Sequence, residues 1–249
     1  MSGHSKWSQI KRQKGANDAK RGAVFTKIAR EIGIAARAGG PDPDANFRLR
    51  LTLDKARSAN MPADIIKRAI DKASGTDKSE EYEEIVYEGY GPGGVALLVE
   101  TATNNRNRTA ADVRAVFTKA GGSLAGAGAV AWQFEPRGII SVARDGVDAD
   151  EIALVAIDAG AADVDTDADP IEIATEPGDL ELVRKGLEAA GVKIESAELT
   201  MLPKTTVEID AAHVRQNLRL VEKLEDHDDV QRVTANFEIT DEILAEAMA

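Results

Sequence analysis

The sequence predicts an α+β protein, with an N-terminal helical bundle followed by two ferredoxin-like α/β domains, one inserted in the other. Three observations predict it. Apolar residues recur at helical spacing through the first 75 positions. Beyond them the pattern alternates between strand-like and helix-like segments. The order of those segments forms one complete βαββαβ unit flanked by two βαβ halves.

The elements follow in order. Asn17 or Asp18 can cap a helix whose apolar stripe is Val24, Ile28, Ile32 and Ala36, with Phe25 beside it. Gly39, Gly40 and Pro41 stop it, because glycine suits a left-handed cap and proline cannot continue. Asp44 is expected to open a second helix carrying Phe47, Leu49, Leu51, Leu53 and Ala56. Pro62 suits the first turn of a third, with Ile65, Ile66, Ala69 and Ile70 inward. The polar run SGTDKSEE, residues 74–81, reads as a domain boundary.

Strand, helix and strand are then expected at 94–103, 109–121 and 129–136. A full βαββαβ unit runs through about 137–202, opening on a strand at 138–144, and a last strand, helix and strand occupy 205–239. Three domains in series would leave two βαβ halves, each too small to bury a core alone. The expected division is therefore 1–78 (basic, helical), 79–136 plus 203–249 (one ferredoxin-like domain) and 137–202 (the inserted one).

Charge is segregated along the chain. Residues 1–78 hold 17 Lys/Arg against 8 Asp/Glu, whereas 79–249 hold 14 against 35, within a net charge of −12. In residues 1–30 the ratio is eight to one. A basic segment on an acidic body is the footprint of a polyanion-binding module, since the body repels phosphate and the segment must supply attraction locally. Lys6, Lys11, Arg12, Lys14, Lys20, Arg21 and Lys27 are the candidate phosphate contacts.

Catalysis finds little support. There is no cysteine, hence no thiolate ligand or nucleophile, and His4, His213 and His227 lie far apart in sequence. No Walker A run occurs. GAGAVA (126–131) imitates part of a dinucleotide fingerprint but follows a helix rather than opening one. Asp165, Asp167, Asp169 and Glu176 match positions 1, 3, 5 and 12 of a calcium loop, but Pro170 stands where the turn wants glycine. A half-buried strand after an acidic turn fits that stretch better. No cofactor or metal is expected. With no apolar run near the ~20 residues of a membrane span and no h-region behind the basic start, a cytoplasmic chain without membrane contact is expected.

Three further motifs bear on binding. YEGYGPGG (87–94) could cradle phosphate on glycine-freed amides, but a tight connection between two strands is the commoner use. In NNRNRTAAD, Thr109 and Asp112 have capping-box spacing. Arg106 and Arg108 would then precede a helix N-terminus, where cations are disfavoured unless an anion shares the site or body carboxylates neutralise them. Helices two and three could form a helix-turn-helix corner carrying Lys67 and Arg68, a weak signal in any three-helix bundle.

The motifs GHSKW, DAKRG, FTK, AREI, GGPDP, NMP, RAI, YEGYGPGG, NRNRT and GGSL together resemble the YebC/PmpR family over essentially the whole chain. That family has an organellar relative known as the translational activator of cytochrome c oxidase. The resemblance implies the same three-domain plan, no enzymatic activity and nucleic-acid binding. The role implied is that of a DNA-binding transcriptional regulator, a ribosome-associated translation factor, or both. The positions matching the family's binding motifs are His4, Lys6, Trp7, Lys20, Arg21, Lys27, Arg106 and Arg108; Asn104 departs from the aspartate usual before NRNRT. Expected partners are therefore ribosomal RNA or DNA, with a lean toward the ribosome, because phosphate and shape contacts suffice there. A protein-interaction scaffold whose basic arm meets acidic partners is the alternative.

Overall fold

The computed structural model describes residues 18–74, 82–240, 242–243 and 246. The chain begins with three helices, α1 (Asp18–Gly39), α2 (Phe47–Ser58) and α3 (Ala63–Ser74). Ile28, Ile32, Ala35 and Ala36 of α1 bury against Leu49, Leu53 and Ala56 of α2 and against Met61, with Ile65, Ile66 and Ile70 of α3 closing the cluster. The stripe begins one turn later than the sequence predicts, because Val24 is 44% exposed. The second helix starts later too: Asn46, not Asp44, is its cap, accepting from the Leu49 amide at 3.0 Å. Its amide nitrogen also reaches the carbonyls of Ala35 and Gly40, tying the α1–α2 turn shut.

The first sheet has strand order β3-β1-β2-β9, from β1 (Glu83–Tyr90), β2 (Ala96–Thr103), β3 (Ser123–Leu124) and β9 (Val230–Ala235). β1 and β2 form an antiparallel ladder from Glu83↔Thr103 to Tyr90↔Ala96. Helices α4 (Arg106–Lys119) and α7 (Ala211–Glu225) cover one face, with Phe117, Val113, Val214 and Leu220 packed on Leu97, Val99 and Val233. The opposite face of β2 buries Ala96 and Leu98 against Val130 and Phe134.

The second sheet, β5-β6-β4-β7, comes from β4 (Phe134–Val142), β5 (Asp163–Asp165), β6 (Ile171–Thr175) and β7 (Ile194–Pro203), with α5 (Ala149–Asp158) and α6 (Leu180–Ala189) packed on it. In chain order this is βαββαβ, with the strand arrangement of a ferredoxin-like unit. It lies between β3 and β9 of the first sheet in sequence. A short parallel pair, β8 (Val207–Glu208) with β10 (Phe237–Glu238), completes the element list.

Two strand expectations need correction. Residues 129–136 and 138–144 are not separate strands: 131–133 form a short 3-10 turn, and Phe134–Val142 run unbroken along β7. The first sheet instead recruits β1 and β3. β1 was hidden because its sequence, EEIVYEGY, is acidic and glycine-bearing and reads as loop. It nevertheless alternates, with Glu88 and Gly89 buried where the strand crosses the sheet.

The helical domain touches both sheets. Phe47 and Leu51 of α2 join the α5–α6 core, and Arg184 of α6 reaches Asp54 at 3.6 Å. α1 meets the turn between α7 and β9.

Candidate nucleic-acid interface

The site begins at the end of strand β2. Asn105 caps α4, its side chain accepting from the Arg108 amide at 3.1 Å. The helix therefore starts at Arg106, three residues before the Thr109 start that the capping-box spacing suggests, and Thr109 serves another purpose. Its hydroxyl donates to Oδ2 of Asp229 at 2.7 Å, and Thr103 approaches the same oxygen at 3.3 Å.

Asp229 lies at the start of β9 and is almost fully buried. Arg108 reaches its Oδ2 at 2.8 Å and Arg30 its Oδ1 at 3.0 Å. Arg30 also donates to the Asp228 carbonyl and stacks over Tyr82, 5.1 Å from the ring centre. One turn earlier on α1, Lys27 donates to the Glu225 carbonyl at the end of α7. A cation at a helix C-terminus is matched to the exposed carbonyl end of the dipole. The Asp229 amide donates to His227 Nδ1 at 3.1 Å, which leaves Nε2 to face Asp112 of α4 at 3.3 Å. Residues 225–229 thus latch the helical domain to the first sheet.

Burial acts to raise the Asp229 carboxyl, but hydrogen bonds from Arg108 and Thr109 and the charges of Arg108 and Arg30 prevail and hold it below the usual carboxylate range. The guanidinium of Arg108 is correspondingly held charged by its hydrogen bond to Asp229.

The predicted contact residues divide accordingly. Lys6, Trp7, Lys11, Arg12 and Lys14 lie outside the described residues. Lys20 falls in the first turn of α1, and Arg21 is exposed on the same helix. Lys27 and Arg108 take part in the latch, Lys27 donating to a body carbonyl and Arg108 pairing with a body carboxylate. Arg106 is exposed at the first turn of α4, with its carbonyl accepting from Tyr87 Oη at 3.2 Å. The latch itself was not foreseen; EDHDD, following a basic-faced helix, was its only trace in the sequence.

Two other motifs resolve into structure. GAGAVA forms an amide-lined nest, but the carboxylate of Glu88 fills it, accepting from Gly128, Val130 and Ala131 at 2.6, 2.7 and 2.8 Å. Burial works to raise that carboxyl, and the three amides outweigh it and lower it. GPGG is the connection between β1 and β2, closed by a 2.8 Å bond from the Gly91 amide to the Val95 carbonyl. Asn217 of α7 pins it by donating to the Pro92 carbonyl at 2.8 Å, so close that a Cβ on Gly91 would fall 2.1 Å from Asn217 Oδ1. In the acidic stretch at 165–176, Asp165 accepts from the amides of Asp167 and Ala168, and Ile171–Thr175 is a strand with alternating burial. Among the described residues no group of three or more His, Asp or Glu could hold a metal ion, and no helix is long and apolar enough to cross a membrane.

With this geometry in view, the comparisons with known proteins agree along the chain. Residues 5–76 match the model of the TACO1/YebC protein N-terminal domain, and 82–237 match that of the TACO1/YebC second and third domain. A probable transcriptional regulatory protein of Rubrobacter xylanophilus is 53% identical over 247 residues, covering 99% of each chain. One of Roseiflexus castenholzii is 56% identical, covering 98% of this chain and 97% of its own. The crystal structure of a conserved hypothetical protein from Aquifex aeolicus superposes with a TM-score of 0.86 at 47% identity, covering 91% of this chain and 94% of that one. A chain matched by both models across nearly its whole length, and by relatives above half identity end to end, belongs to the TACO1/YebC family.

Proposed function

We propose that this protein is a non-enzymatic, nucleic-acid-binding regulator of gene expression, anchored through its basic N-terminal segment. The observation that carries this reading is the segregation of charge: a +9 segment of 78 residues joined to a −21 body. Counterion release by clustered Lys/Arg supplies affinity for a phosphate backbone, and the acidic body limits indiscriminate adhesion.

The latch supports this reading by holding α1, which carries the exposed Arg21, against the body through Lys27 and Arg30. The filled Glu88 nest and the dispersed histidines, with His213 turned to its own cap Asp210 at 2.9 Å, offer no reaction centre among the described residues.

The target we favour is ribosomal RNA, because the described residues offer phosphate-type contacts and no strong base-reading element. The names of the bacterial relatives favour DNA as the second reading. Sucrose-gradient fractionation at near-physiological salt, beside competition between a promoter fragment and scrambled DNA, separates the two. Co-migration with ribosomes and weak promoter preference are expected. Absence from ribosomal fractions with a hundredfold promoter preference, about 2.7 kcal/mol, would leave the transcriptional reading. Failure to bind any nucleic acid would overturn both.

A further inference from the structure

The body is not uniformly acidic. Helices α4 and α7 together carry seven Lys/Arg and three acids, whereas the rest of residues 79–249 carries seven and 32. Both helices bury one face on the first sheet. Thr109, Val113 and Phe117 of α4 and Val214, Leu218, Val221 and Leu224 of α7 point inward. The exposed positions then include Arg106, Arg114 and Lys119 on α4 and Arg215, Arg219 and Lys223 on α7. On α7 the three recur at i, i+4 and i+8, which is a single stripe along the helix. Among the described residues none of these six forms an ion pair, although the chain carries a large excess of carboxylates. Basic side chains left unneutralised on adjacent helices, within a chain of net charge −12, are the reverse of what solubility alone would produce.

The helices lie side by side, and contact between His227 after α7 and Asp112 early in α4 brings the end of one beside the start of the other. Lys119, which shares the α7-facing side of α4 with Asp112, therefore lies alongside the stripe, and Arg114 is exposed on the far flank of α4. The same end of α7 is where Lys27 of α1 docks. Lys27 is nine residues into α1, so the first residue of the helix, Asp18, lies within about 14 Å of that contact. The basic layer and the exposed Arg21 of α1 are thus neighbours in space.

We propose that the outward face of α4 and α7 is a second nucleic-acid-binding surface, contacting the phosphate backbone through Arg114, Lys119, Arg215, Arg219 and Lys223. This deepens the nucleic-acid reading above and rests on it. Charge complementarity selects the occupant: guanidinium and ammonium groups spread over a helical layer match a repeating row of phosphates, and no apolar patch accompanies them as a protein partner would require.

The test uses the full chain and two probes of arbitrary sequence, an RNA hairpin and a DNA duplex. Arg114→Gln, Lys119→Gln, Arg215→Gln, Arg219→Gln and Lys223→Gln are combined, and affinity is measured by fluorescence anisotropy across a salt series. Each lost contact should flatten the log–log slope by about 0.7 to 0.9, giving about 3.5 to 4.5 units when all five touch phosphate. In the unaltered protein, either probe should protect Lys119 and Lys223 from acetylation, a readout independent of any variant's folding. If the unaltered protein binds while the variant keeps its slope and both lysines acetylate at the free rate, the second surface is refuted and the nucleic-acid reading stands. Protection by poly-glutamate but not by RNA or DNA also refutes it. If the unaltered protein binds neither probe, the functional reading itself falls, and this inference with it.

Discussion

Arg108 donates to the buried carboxylate of Asp229 at 2.8 Å, a bond between residues 121 positions apart that joins the first turn of α4 to the start of β9. Arg30 of α1 reaches the other oxygen. Removing the carboxylate leaves the buried Arg30 without its counter-charge and takes an acceptor from Arg108, Thr103 and Thr109. Asp229→Ala is expected to cost about 3 kcal/mol, within the range for breaking a buried pair. Urea unfolding checks this, and an effect below about 0.5 kcal/mol would show that the latch contributes little.

The latch should also be acid-sensitive. Asp229 and Glu88 are both held below their ordinary carboxylate values. Groups with depressed folded pKa values contribute fully above the unfolded value and lose that contribution as pH falls through the folded one. Glu100, raised by burial, runs the opposite way and offsets part of the loss. The urea midpoint should therefore fall steadily as pH drops below about 4. Asp229→Asn should flatten that dependence, which a titration of midpoint against pH would reveal.

Glu88 holds 126–131 through three amides, two of them at Val130 and Ala131. Glu88→Ala leaves those donors without their acceptor, at about 1–3 kcal/mol for a buried one. Amide exchange at 128, 130 and 131 should accelerate well before global unfolding. Exchange at the unaltered rate would mean that the loop holds itself.

Much of this was legible in advance. Helical spacing located α1 to α3, and alternation located the βαββαβ unit at about 137–202, which the structure extends to 134–203, because those patterns record burial directly. β1 escaped because its buried glutamate and glycine serve a nest and a close helix contact, which reverse the usual sign of polarity along a strand. The site was harder. The sequence placed Arg106 and Arg108 at a helix start, but an arginine facing an anion and one facing a carboxylate look alike until the long-range partner, Asp229, is known. The layer on α4 and α7 was invisible because its residues come from segments about a hundred positions apart.

The nested order of the sheets suggests that residues 79–136 with 203–249 form a unit that folds without 137–202. β4 and β7 leave the first sheet's underside together, with Phe134 paired to Pro203. Joining 136 to 203 with a short linker should preserve a cooperative transition and the α4–α7 core. Collapse of the shortened chain into a molten state would contradict the division.

Gly91 offers a local check on the β1–β2 connection. A methyl group there would meet Asn217 Oδ1 at 2.1 Å, so Gly91→Ala should cost about 1–3 kcal/mol through overpacking. Pairing it with Asn217→Ala should restore part of that loss in a double-mutant cycle. Additive effects would place the strain elsewhere.

The central claim is that the N-terminal segment anchors the protein to a phosphate backbone. Replacing Lys11, Arg12, Lys14, Lys20 and Arg21 together with alanine removes up to five contacts, each with a slope of about 0.9 on duplex DNA or 0.7 on single strands. The direct measurement is nucleic-acid affinity as a function of salt for this variant and the parent, with circular dichroism confirming the fold. The account predicts a slope flatter by several units in a protein that still folds; an unchanged slope in a folded variant would contradict it.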